Sequence, residues 1–224
     1  MFVYSSKFKD LRELKRSKPS AIWALAATLF DSLSLIDSIM TDDIRTSFFK
    51  TKQPVNGHKD YPKSSGIYAF SLSDKSKLGE FGIGGQIIYI GIAKHSLHDR
   101  DFNQHFKTGK TGSSTLRRSI GAILKSKLNL TAIPRGGVND SKRYDNYKFS
   151  QEQELTDWMI SNLEIGYWIP QKVLSYQELR DIEKQITISL KPTLDLDNRT
   201  RRFNPLADKL DGLREICRQE ARTK

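Results

Sequence analysis

The 224-residue chain is 37% hydrophobic and 28% charged, the make-up of a soluble globular protein of one domain with additions. Its 37 Lys and Arg against 26 Asp and Glu leave a net charge of +11. That excess predicts an acidic partner, nucleic acid before any other, the alternative being a basic surface kept for solubility. The single cysteine, Cys217, excludes an internal disulfide framework and any cysteine-based zinc site.

In chain order, residues 1 to about 15 are basic and mixed, with Phe2, Phe8, Leu11 and Leu14 as anchors. A helix is predicted from Ser20, which can cap it. Its apolar residues Ile22, Leu25, Leu29, Leu33 and Ile36 recur at spacings of three and four. That stripe needs a partner surface, either the rest of the chain or a second copy in a homodimer. The apolar run inside it is about half a membrane span, and no small-residue cleavage site follows. The protein is therefore read as intracellular and cytoplasmic, with no membrane partner. Residues 46–64, with Pro54, Asn56-Gly57 and Pro62, read as a linker.

Two short strands come next, inside Ser65–Phe70 and Ile87–Gly91, each of β-branched and aromatic residues bounded by glycine, serine or lysine. The glycine-rich stretch between them closes a hairpin that brings Tyr68 near Tyr89. A helix opens near Ser96 and carries Leu97, Arg100, Phe102, His105 and Phe106. After a glycine-rich loop, Ser113 or Ser114 caps another helix. Leu116, Ile120, Ile123, Leu124 and Leu128 form its inner face, and Arg117, Arg118, Lys125 and Lys127 project elsewhere. Residues 131–149 read as an irregular insertion. Ser150-Gln151-Glu152-Gln153 fits a capping box, and Ile165–Leu174 fits a strand that Pro170 assigns to an edge. Ser175-Tyr176-Gln177-Glu178 is a second capping box, opening a helix that runs to about Leu190, where Lys191-Pro192 stops it. Pro205 to Lys224 reads as a final docking helix.

The helix after Ser175 holds the clearest physical signal. Leu179, Ile182, Ile186 and Leu190 define its buried face, and Glu183 falls within or beside that stripe. A carboxylate there must be paired, hydrogen-bonded or bound to a metal, or it must sit at the edge and reach water. Arg100 has Asp99 and Asp101 as local partners, and His105 reads equally well as a structural histidine. His95, His98 and His105 span a turn and a helix, a spacing that does not suit zinc.

The tripeptides Gly66-Ile67-Tyr68 and Tyr89-Ile90-Gly91, unaltered and in this order, resemble the two for which the GIY-YIG nuclease family is named. The resemblance implies a mixed α/β (α+β) domain over residues 63–204, with a small central, mostly antiparallel sheet flanked by helices. A helical extension and linker over 1–62 would precede it, and a C-terminal helix over 205–224 would follow. It also implies a metal-dependent DNA endonuclease acting in restriction, defence or repair. Tyr68 would take a proton from the attacking water, assisted through Tyr89 or His105. Arg100 would hold the scissile phosphate. Glu183 would bind one Mg²⁺ or Mn²⁺ ion. Lys107, Lys110, Arg117, Arg118, Arg199, Arg201 and Arg202 would supply phosphate contacts to DNA.

One departure from the family pattern stands out. Where members show proline, two residues and then asparagine, this chain reads Pro192-Thr193-Leu194-Asp195. Either Asp195 substitutes, or Asn198 takes the role, and Asn198 is the expected occupant. The departure also opens an alternative function, a catalytically degenerate nucleic-acid-binding module on the same fold.

Overall fold

The computed structural model describes residues 40–57 and 61–224, so the helix expected from Ser20 and its Ile22–Ile36 stripe lie outside the described residues. The chain forms two compact units, Met1–Asp43 and Ile44–Lys224. In the second, residues 44–50 are helical (α1). The strands Gln53–Pro54 (β1), Gly66–Leu72 (β2) and Ile87–Ala93 (β3) follow.

A short helix, Leu97–Arg100 (α2), starts at Ser96, whose side chain accepts from the Asp99 backbone N–H. It runs straight into one π turn, Asp101–His105. Helix α3, Thr115–Leu124, is capped by Ser114 rather than Ser113. The insertion expected to be irregular carries a two-stranded ribbon, Ala132–Ile133 (β4) against Lys148–Phe149 (β5).

Helix α4 spans Glu152–Asn162, strand β6 Leu163–Trp168, helix α5 Tyr176–Leu190 and helix α6 Ala207–Arg222. The capping box expected at Ser150 does not form. The helix starts after Gln151, with no side-chain cap. Glu152 at its start instead accepts from Phe149 N and from Arg117. The box at Ser175 forms in full, with Ser175 Oγ accepting from Glu178 N (3.2 Å) and Glu178 Oε2 accepting from Ser175 N (2.7 Å). Lys191, in the left-handed region at φ 47°, ends that helix.

The main sheet has the order β1-β6-β2-β3, every neighbouring pair antiparallel. Strand β6 is therefore interior, not an edge. It ends at Trp168, before Pro170, so proline removes no donor from the ladder. All seven residues of β2 are buried. That explains its unbroken Gly-Ile-Tyr-Ala-Phe-Ser-Leu text, since a strand covered on both faces loses the alternation of a half-exposed one. Phe70, Leu72, Ile88, Leu116, Ile120, Phe149, Leu155, Met159 and Ile165 belong to one core that joins the sheet to α3 and α4. Helix α5 lies against β3, and α6 against α3. Among the described residues, no helix is long and apolar enough to cross a membrane.

Candidate active site

The β2–β3 register sets the two motif tyrosines. Tyr68 pairs with Gly91 and Phe70 with Tyr89, so both tyrosines lie on one face, their ring centroids 6.3 Å apart. The outer glycine of each tripeptide has a steric reason. A Cβ on Gly91 would sit 2.3 Å from Tyr68 Oη, and one on Gly66 would sit 2.5 Å from the Trp168 carbonyl oxygen. Only glycine lets the phenol lie across the neighbouring strand. Ile67 and Ile90 are core residues.

The α2 segment and its π turn aim two side chains at that phenol. Arg100 Nε donates to Tyr68 Oη at 3.3 Å, and His105 Nε2 lies 2.8 Å from the same oxygen. His105 is fully buried, and its other ring nitrogen lies 2.7 Å from Ser114 Oγ. Burial keeps the imidazole pKa well below its ordinary value, with Arg100 and Arg117 pushing the same way, so the ring is neutral. Burial also raises the Tyr68 phenol well above 10. Tyr89 adds to that and Arg100 opposes it. Tyr89, half-buried, is pushed up to about 12 by burial, against the pull of Arg100.

Across the cavity stand the carboxylates. Glu183 sits in the α5 stripe at 8% exposure, and burial, helped by Asp195 and Asp197, pushes its carboxyl up to about 7 against Arg199. Arg199 donates to Glu183 Oε2 (2.8 Å), Asp197 Oδ1 (2.9 Å) and the Arg180 carbonyl (3.0 Å). Asp195 accepts from Thr200 Oγ1 and from Asp197 N. Tyr68, Tyr89, Arg100, Glu183, Asp195 and Arg199 all line one cavity of about 370 Å³.

Among the described residues, no cluster of three His, Cys, Asp or Glu could hold a metal ion. Glu183 and Asp195 nevertheless share this cavity. Their hard oxygen donors, already drawing a cationic side chain onto Glu183, fit Mg²⁺ or Mn²⁺ with most of the shell left to water and phosphate.

Several expected site residues stand elsewhere. Asn198 is exposed and outside the cavity lining, whereas Asp195 is inside it. A different asparagine holds the loop: buried Asn204 donates to the Thr193 and Asp195 carbonyls at 2.9 and 2.7 Å, and accepts from Leu206 N. Arg117 and Arg118 are not surface contacts. Arg117 is fully buried, paired with Glu152 at 2.6 Å and donating to the His105 carbonyl. Arg118 is buried and donates to the Thr111 and Gly112 carbonyls. The 111–113 turn and α4 cover the flank of α3 that the helical period leaves outside its apolar stripe. Arg201 is taken up by Asp208 and Asp211 of α6. Lys107, Lys110 and Arg202 are exposed, and Arg199 belongs to the cavity wall. Tyr176 and Arg180 also line the cavity, and with Glu183 they form an i, i+4, i+7 row on α5, a spacing that the helical period makes visible in the sequence.

A small antiparallel sheet carries the two glycine-tyrosine strands side by side, with the glutamate-bearing helix α5 against β3. The model of the GIY-YIG catalytic domain matches residues 66–216, and the chain belongs to this family. No curated protein and no solved structure matches the chain in the corresponding comparisons. Nucleases of this family generally depend on a divalent metal.

Proposed function

We propose that this chain is a metal-dependent DNA endonuclease that hydrolyses phosphodiester bonds, in a restriction, defence or repair setting. The convergence of Tyr68, Arg100, Glu183 and Asp195 on a single cavity carries this reading. Tyr68 takes a proton from the attacking water. Burial makes its phenol a reluctant base, and the Arg100 N–H on its oxygen favours the phenolate. Arg100 also grips the scissile phosphate through its guanidinium. Glu183 and Asp195 would hold a single Mg²⁺ or Mn²⁺ ion, which when bound would supply electrostatic stabilisation of the leaving oxygen. Lys107, Lys110 and Arg202, with Arg180 and Arg214 at the cavity, contact backbone phosphates and make binding salt-dependent. One such site cuts one strand, so double-strand cleavage needs a homodimer or two visits.

The test is cleavage of supercoiled plasmid with Mg²⁺ or Mn²⁺, beside an EDTA control and a Glu183→Ala protein. Nicking that vanishes in both controls supports the reading; nicking that survives both sinks it. A second reading, a non-cleaving nucleic-acid-binding module, is favoured by the Arg199–Glu183 pair, which occupies a carboxylate oxygen of the metal side. It predicts salt-sensitive DNA binding by the wild type with no cleavage of plasmid, branched or single-stranded DNA.

A further inference from the structure

The hydrogen bonds around His105 assign a role to Ser114 that reaches beyond capping α3. Three hydroxyl and imidazole groups form a row: Ser114 Oγ, the two His105 ring nitrogens and Tyr68 Oη, joined at 2.7 and 2.8 Å. Ser114, His105 and Tyr68 are each fully buried. A neutral imidazole has one N–H and one bare nitrogen, so the row has two possible polarities.

If the proton sits on Nδ1, that N–H donates to Ser114 Oγ and Tyr68 donates to Nε2. Ser114 Oγ then accepts twice, from Nδ1 and from the Arg117 backbone N–H at 3.2 Å, and its own proton is left without an acceptor. The serine has no solvent contact, so that proton is sealed in at the full cost of an unmade hydrogen bond. If the proton sits on Nε2, Ser114 donates to Nδ1 while still accepting from Arg117 N, and every group on the serine is satisfied. The Tyr68 proton is then the one without a protein acceptor; Tyr68 is as buried as Ser114, but it borders the cavity and Ser114 does not, so its proton is the one beside space that water or a nucleophile can enter.

We infer that Ser114 is a positioning residue that fixes His105 as the Nε2–H tautomer, so that the histidine is a hydrogen-bond donor to Tyr68 and not the acceptor of its proton. The Tyr68 oxygen then receives two N–H groups, from His105 and from Arg100 at 3.3 Å, both of which stabilise the phenolate over the phenol. The Tyr68 proton leaves through the cavity. The consequence for catalysis rests on the nuclease reading, but the tautomer itself does not.

The test is nitrogen NMR of the full chain labelled with ¹⁵N-histidine, the signals of His105 among the four histidines being identified by their loss in His105→Gln. A protonated Nε2 with a bare Nδ1 supports the assignment; a protonated Nδ1, or a doubly protonated ring, overturns it, whether or not the protein cleaves DNA. Ser114→Gly keeps most of the cap strength while deleting the hydroxyl. It should lose the single tautomer, and Ser114→Thr should keep it. In cleavage assays, the rise of rate with pH should move up by about one pH unit in Ser114→Gly and return in Ser114→Thr. A Ser114→Gly protein whose tautomer and pH profile both match the wild type would reduce the serine to a helix cap.

Discussion

The two walls of the cavity solve opposite problems. On one, Tyr68 faces the cavity and is backed by buried His105 and Ser114, a row in which burial keeps the three groups neutral and hydrogen bonds do the positioning. On the other, Glu183, Asp195 and Asp197 crowd negative charge together, and Arg199 pairs with two of them. The neutral wall is finished before any ligand arrives. The charged wall is held by an internal cation standing where a metal would be useful, so one half of the site is built for geometry and the other for exchange.

The largest way to break this contrast lies behind the neutral wall. Arg117→Ala leaves Glu152 buried without its partner and removes the donor to the His105 carbonyl. A loss of about 3–5 kcal/mol in urea denaturation is expected. Gly91→Ala comes next. Its Cβ would meet the Tyr68 phenol, so the ring or the strand must shift, at about 1–3 kcal/mol of stability. Cleavage should fall at least tenfold while binding of DNA persists, read by gel shift beside the plasmid assay.

The charged wall should respond in the other direction. The Glu183 carboxyl rises from 4.5 to about 7 on folding. The folded protein therefore holds that proton more tightly than the unfolded chain does. Stability from this group is complete below the ordinary value and is lost as pH climbs through about 7. Glu183→Gln should accordingly stabilise the metal-free protein at pH 8 by about 1–3 kcal/mol and leave it unchanged at pH 4, measured by thermal unfolding at both. Smallest is Arg199→Gln. It removes the resident cation, so Mn²⁺ should raise the melting temperature more in the variant than in the wild type; an equal shift would mean Arg199 does not compete for Glu183.

These contrasts were unevenly legible. The two tripeptide strands, the Ser175 capping box and Glu183 in its apolar stripe obey rules that act over a few residues, and the sequence discloses them. The fate of Arg117 and Arg118 depends on which elements cover the flank of α3, which periodicity along one helix does not specify. Asn204 was hidden for a related reason: its partners, Thr193 and Asp195, lie eleven and nine residues back along an irregular loop. Ser114 was visible as a cap, but its second bond crosses to a residue nine positions earlier in a different element.

Strand β2, buried over its whole length at the middle of the sheet, also sets an order of events on heating. Its amides are closed off on both edges by β3 and β6, so their hydrogen exchange needs global opening. The 195–200 loop is tied mainly by side chains such as Thr200 and Arg199, and it opens by local fluctuation at lower cost. Warmed protein would therefore lose its charged wall while Tyr68 is still locked in the last part of the fold to exchange, and loss of the site would run ahead of unfolding.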